Sequence, residues 1–401
     1  MRRSILAVFF FFLPFTSVFS LNEYFSLSII ITLIITLLLG LSYMAIPIAS
    51  VSAAKYHTAF FFLWAATVMA FFVFISVLSS GAISSADRLG HVLARLLFSV
   101  LMLCLILIGL ASSKCSSSEL RSMILMSYLV VLVLCLFDFA QLYGFSDVIL
   151  PRASVETLEA RFGGEYFRVR GPTVEPGHLA AFFAATLPLV VQWSRRPYVI
   201  LWAIAMPVFA FTFSTAFVIW LFVFILLSII LDAFQSARKF NKLFLAFIRS
   251  ALSIFLCLLT LVFISDITGL YSKFASTSYY SRIESYSLLG KLLDTPFSLL
   301  FGLGPGVYKE YGDVQPINFL LSTLFELGIC GLAVIGIIFF YNLIYLMRGQ
   351  YIFLSAGGVA YLVFFNSISN YWYPFYALPL FYVLFLPRNI NAGQNPGRPN
   401  I

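Results

Sequence analysis

An all-α, polytopic integral membrane protein is the fold class this 401-residue chain predicts, and three observations predict it. Apolar residues make up 62% of the chain and charged residues only 10%, a balance that no soluble domain of this length carries. Mean hydropathy is +1.01. The apolar runs are about 17–25 residues long, and backbone in lipid must satisfy its own hydrogen bonds, so the runs read as helices rather than barrel strands.

In chain order the runs centre near Phe12, Leu37, Val68, Leu103, Val131, Leu187, Ala205, Phe224, Leu258, Val334, Val359 and Leu380, which predicts about twelve spans in a single membrane domain, 1–401. The first run follows Arg2 and Arg3 and also has the form of a signal peptide. Its cleavage site, ending at Ser20, meets the small-residue rule poorly, so a retained anchor is expected. A hairpin at Thr212–Thr215 divides the seventh and eighth runs, and a break at Ser369–Pro374 interrupts the last. With Arg2 and Arg3 inside, Lys55, Lys114, Arg121, Arg195, Arg196, Arg238, Lys239, Lys242, Arg249, Arg348, Arg388 and Arg398 also fall inside, with both termini. The opposite face receives two long loops, 144–177 and 266–316.

Charge and cysteine usage narrow the chemistry. The net charge of +8 is not a basic outer groove, because the first loop sets Arg152, Arg161, Arg168 and Arg170 against Asp147, Glu156, Glu159, Glu165 and Glu175. The second balances Lys273, Arg282, Lys291 and Lys309 against Glu284, Asp294, Glu310 and Asp313. Nucleic acid is therefore not an expected partner, and an outer anion site must rest on individual arginines. Five cysteines and three scattered histidines, His57, His91 and His178, give no disulfide framework and no metal-ligand spacing. Neither a phosphate-binding Walker loop nor a dinucleotide fingerprint occurs, so no cofactor is expected.

The first loop ends in Arg168-Val-Arg170-Gly171-Pro-Thr-Val-Glu175-Pro176-Gly-His178. The second carries Arg282, Leu293-Asp-Thr-Pro296, Gly302-Leu-Gly304-Pro-Gly306-Val-Tyr308 and Ile317-Asn318 ahead of Glu326-Leu-Gly328. As an ordered pair these stretches resemble the two signature regions of the Wzy O-antigen polymerase and O-antigen ligase family. The resemblance implies a glycosyltransferase of GT-C-like architecture in a Gram-negative inner membrane, with two long periplasmic loops. Its donor and acceptor would be undecaprenyl-pyrophosphate-linked glycans, and a chain-length regulator and a flippase would be its partners. Polymerisation of oligosaccharide repeats into O-antigen or a related surface polysaccharide is the activity implied.

That chemistry needs fork-shaped cations on the departing pyrophosphate and a base for the attacking hydroxyl. Arg168 or Arg170, two apart on an extended segment, and Arg282 are the candidate clamp. The plainer alternative is that they pair loop carboxylates such as Glu165 or Glu284. An arginine–glycine spacing from Arg152 to Gly163 carries little weight. Glu175 is the candidate proton acceptor and His178 its alternate. The structural alternative places Glu175 at a helix start, with Pro176 in the first turn. Family ligases carry a histidine just before the asparagine matched by Asn318, whereas Ile317 stands here, which favours a polymerase over a ligase. Asn318 and Tyr308 join the substrate-binding candidates.

Three further expectations come from residue placement. Glu326, about eight residues or roughly 12 Å inside its span, is either a functional acid or a hydrogen-bonded structural one. Arg95 and Asp138, at similar depth in adjacent spans, are expected to pair. The segment from Arg282 to Leu292 reads as an interfacial amphipathic helix ended by Asp294-Thr-Pro296, after which the glycines allow a tight return. Tyr279, Tyr280, Tyr286 and Tyr308 are candidates for stacking on sugars, or for the interfacial aromatic belt. Two other classes compete: a lipid-linked oligosaccharide flippase, which would place polar residues in several spans around a midplane cavity, and a non-catalytic scaffold.

Overall fold

The computed structural model describes residues 2–20, 26–44, 53–79, 86–112, 115–142, 145, 161–162, 166–167, 169–212, 214–236, 289–307, 318–367 and 373–386. The chain is helical. Its first eight helices are α1 (Arg2–Phe12), α2 (Leu27–Met44), α3 (Ala53–Ser79), α4 (Ala86–Ser112), α5 (Ser117–Leu142), α6 (Pro176–Gln192), α7 (Pro197–Thr212) and α8 (Thr215–Ser236). Then come two short helices, α9 (Leu289–Leu292) and α10 (Pro296–Phe301), the long α11 (Phe319–Arg348), α12 (Ile352–Ala360), α13 (Leu362–Phe365) and α14 (Pro374–Ala377). A 3₁₀ segment, Leu378–Phe385, continues from α14. Between α5 and α6 a minimal antiparallel ladder pairs Arg161 with Phe167 and Phe162 with Tyr166.

Among the described residues five helices are long and apolar enough to cross a membrane, in α3, α4, α5, α8 and α11, and six shorter apolar helices accompany them. Eleven of the twelve expected runs thus fall on described helices, and the run near Leu258 lies outside the described residues. The Thr212–Thr215 hairpin is where α7 ends and α8 begins. Several helix hydroxyls are satisfied by their own backbone: Thr32, Thr186, Thr212 and Ser228 each donate to the carbonyl four residues earlier at 2.7–2.8 Å. Such back-bonding lets a hydroxyl sit in an apolar helix without an orphaned donor.

Packing sets the direction of each helix. α5 runs antiparallel to α6, since Arg121 Nη1 donates to the Trp193 carbonyl (3.0 Å), Tyr128 bonds Thr186 (2.8 Å) and Asp138 accepts from the Gly171 amide (2.8 Å). At the far end of α4, Ser112 Oγ bonds the Leu384 carbonyl (3.2 Å). We term the opposite end of the bundle, where α4 begins and α3 ends, its upper end.

Candidate functional site at the upper end of the bundle

From Val169 onward the first stretch, ending at His178, is held by backbone bonds on two sides and by the Asp138 side chain on a third. The Val169 amide donates to the Phe211 carbonyl at the top of α7 (2.8 Å), and the Pro172 carbonyl accepts from the amides of Thr16, Ser17 and Val18 (3.1–3.3 Å). Gly171, at φ +55°, brings the chain so close to α5 that a Cβ would lie 2.8 Å from Cys135 Sγ. A side chain there would meet both the left-handed backbone and the cysteine, so glycine is required. Thr173 Oγ1 then donates to the Arg170 carbonyl (2.7 Å) and closes the turn into α6.

Glu175 is the N-cap of α6 in extended conformation, and Pro176 occupies the first turn. Its side chain makes no cap bond and is exposed, which leaves the carboxylate available at a helix start whose dipole favours a negative charge. His178 is 1% exposed and faces Tyr373 and Tyr376, with ring centroids 5.3 and 6.1 Å away. Arg170 is buried at 8% exposure. Arg168, Arg282 and Tyr308 lie outside the described residues, as do Arg152, Gly163, Ile317, Tyr279, Tyr280 and Tyr286.

In the second stretch α9 ends at Leu292, as Asp294-Thr-Pro296 predicts. The same residues also start α10, where Thr295 Oγ1 accepts from the Ser298 amide (3.1 Å). Gly302, Gly304 and Gly306 follow at φ +81°, +104° and +73°, the tight return expected of them. This loop settles on α4: a Cβ on Gly306 would come within 3.0 Å of His91 and 3.3 Å of Arg88.

α11 departs from a straight span. Gly328 has φ 66° and ψ −167°, a conformation open essentially to glycine alone, and it divides the helix into 319–327 and 329–348. The lower piece alone is roughly 30 Å long at helical rise, enough to span. The upper piece runs against α4 in reverse order: Glu326 lies by His91 (4.0 Å), Ser322 and Thr323 by Arg95, and Phe319 by Phe98 (5.4 Å). Glu326 is therefore near the upper end and Asn318 deeper, the reverse of the expected depth. The break is latched from outside: the Leu303 amide donates to the Phe325 carbonyl (2.7 Å) and Ser76 Oγ to the Glu326 carbonyl.

The expected pairing of Arg95 with Asp138 gives way to a different one. All three guanidinium nitrogens turn to the upper piece of α11: Nε to Glu326 Oε2, Nη1 to Thr323 (3.1 Å) and Nη2 to Ser322 (2.8 Å). Phe319, Ser322, Thr323 and Glu326 are spaced i, i+3, i+4, i+7 and so share one helix face. Glu326 is 0% exposed and held by this cation, a structural role as a buried, paired acid. Asn318 N-caps the same piece, its Oδ1 accepting from the Leu321 amide (2.6 Å), so its side chain already has a structural partner.

The two stretches meet through an unbroken run of rings. Arg95 Cζ sits 5.9 Å from the Phe319 ring, Phe319 contacts Phe365 (5.0 Å), Phe365 contacts Tyr361 (5.2 Å), Tyr361 contacts Tyr376 (6.4 Å), and Tyr376 contacts His178. Sequence reasoning did not single out Tyr361, Tyr373 and Tyr376, since tyrosines inside apolar runs look like core. Among the described residues no three His, Cys, Asp or Glu side chains group as a metal site would require. No protein-family model, curated protein or solved structure matches the chain.

Proposed function

We propose that this chain is a membrane glycosyltransferase that polymerises undecaprenyl-pyrophosphate-linked oligosaccharide repeats into O-antigen or a related surface polysaccharide. It would act on the periplasmic face of a Gram-negative inner membrane, with the upper end of the bundle facing the periplasm, about twelve spans and both termini cytoplasmic. One observation supports this reading: His178, at the end of the first signature stretch, is linked through a series of ring contacts to Phe319 in the second, over which Arg95 of α4 sits. A reaction between two lipid-linked glycans needs groups from both stretches within reach of one another, and this linkage is what favours that arrangement.

In the proposed reaction an acceptor hydroxyl attacks the anomeric carbon of the donor, a glycosidic bond forms, and the bond to the pyrophosphate breaks. The proton passes to Glu175, exposed at the start of α6, with His178 as the alternate acceptor. Arg170 with Arg168 and Arg282 would hold the charge gathering on the leaving pyrophosphate.

The test is to delete the gene, complement with Arg170→Ala or Arg282→Ala, and resolve the lipopolysaccharide by gel. A core bearing a single repeat, with long chains lost, is expected. Loss of every attached repeat would point to a ligase or flippase, and normal ladders from both stably expressed variants would refute the clamp.

A further inference from the structure

We propose that His178, Tyr361 and Tyr376 form a binding site for a neutral, hydroxylated ring, the sugar unit of a substrate glycan. The three side chains come from α6, the α12–α13 junction and α14, and they touch in sequence, His178 to Tyr376 and Tyr376 to Tyr361. All three are at most 1% exposed. Yet His178 Nδ1 and the hydroxyls of Tyr361 and Tyr376 make no hydrogen bond within the chain.

Buried polar groups are bonded in folded proteins, and one left unsatisfied is destabilising, so three in mutual contact call for an explanation. Two other buried tyrosines nearby are bonded within the fold: Tyr382 donates to the Ala185 carbonyl (2.6 Å), and Tyr128 bonds Thr186 (2.8 Å). Those two phenols are structural. The His178 group is instead composed for a ligand that both donates and accepts.

The chemistry selects the ligand class. An imidazole and two phenols offer donors and acceptors without a formal positive charge, and the aromatic faces suit the apolar face of a pyranose. Glu175 lies close enough to act electrostatically on both His178 and Tyr376, so a phosphate would be repelled here. An uncharged polyol is accepted. Only the identification of the ring as substrate glycan rests on the polymerase reading.

The chain has three histidines, so imidazole NMR of histidine-labelled protein in nanodiscs is tractable, with His178 assigned through His178→Gln. The probes are hexyl glycosides of glucose, galactose, mannose and N-acetylglucosamine below their micelle concentrations. At least one should shift the His178 signal and leave His57 unmoved, and Tyr361→Phe/Tyr376→Phe should abolish that shift. Because these hydroxyls bond nothing in the fold, the double variant should melt at the same temperature or higher, while chain assembly in cells falls at least tenfold. No shift with any glycoside, a shift that survives the double variant, or normal chains from that variant would each overturn the inference. Normal chains from the double variant with chains lost in Arg170→Ala would leave the polymerase reading standing. A hydroxyl-dependent shift together with normal chains after deletion of the gene would reject the polymerase reading and keep the sugar site.

Discussion

Removal of Glu326 is the sharpest test of the architecture. Arg95 and Glu326 are both fully buried, and the guanidinium nitrogens Nε, Nη1 and Nη2 each bond a residue of α11. Glu326→Ala removes the carboxylate that faces a buried cation, and stranding one partner of a buried pair costs about 3–5 kcal/mol. At the ~2 °C per kcal/mol expected of a large chain, the melting temperature in nanodiscs should fall by roughly 6–10 °C. Replacing both partners, Arg95→Met with Glu326→Leu, removes the stranded charge and should recover most of that loss. The assay is a double-mutant cycle by thermal unfolding, run in parallel for Arg95 with Asp138. Coupling of about 2 kcal/mol or more is expected for Arg95–Glu326 and at most ~0.5 kcal/mol for Arg95–Asp138. A drop under 2 °C for Glu326→Ala, or the larger coupling at Asp138, would refute the assignment.

Other perturbations follow from the same geometry. Gly328→Ala forces a Cβ onto the Leu300 carbonyl and the Gly302 amide at a backbone angle that side chains avoid, so a loss of about 2–5 kcal/mol in thermal unfolding is expected. Gly171→Ala meets Cys135 Sγ in the same way, and Gly171→Ala with Cys135→Ala should melt above the single variant because the obstruction is gone. Asn318→Ala loses a helix cap and about 1 kcal/mol, whereas Asn318→Asp keeps the cap; chain assembly retained by Asn318→Asp would fit a structural side chain. Glu175→Gln should leave the melting temperature within 1–2 °C, since its side chain makes no cap bond, yet lower polymer formation by about 10²–10³-fold.

Much of the helical framework was legible because lipid imposes a strong local rule. Eleven apolar runs, the Thr212–Thr215 turn, the proline-started α6 and the glycine return after α10 all coincide with described elements. Each depends on residues within a few positions of one another. Gly328 was not legible as a break, since a single glycine in an apolar run is compatible with helix, and only the approach of the Gly302 loop requires its left-handed backbone. The partner of Arg95 was equally hidden: Asp138 and Glu326 are both acids within apolar runs, and which one faces the cation depends on how α4 packs. Tyr361 and Tyr376 carry no sequence signal at all, because an aromatic residue in an apolar helix is ordinarily core.

The amino-acid sequence by itself determined that this chain is a helical membrane protein, where its runs lie and which two loops concentrate polar residues. Those properties follow from solvation, which acts on each segment separately. Only the tertiary structure decided that Arg95 answers Glu326, 231 positions away, that α11 breaks at Gly328, and that His178 meets Tyr376, which in turn meets Tyr361. Those facts arise from contacts between elements remote in the chain, whose pairing no local periodicity encodes.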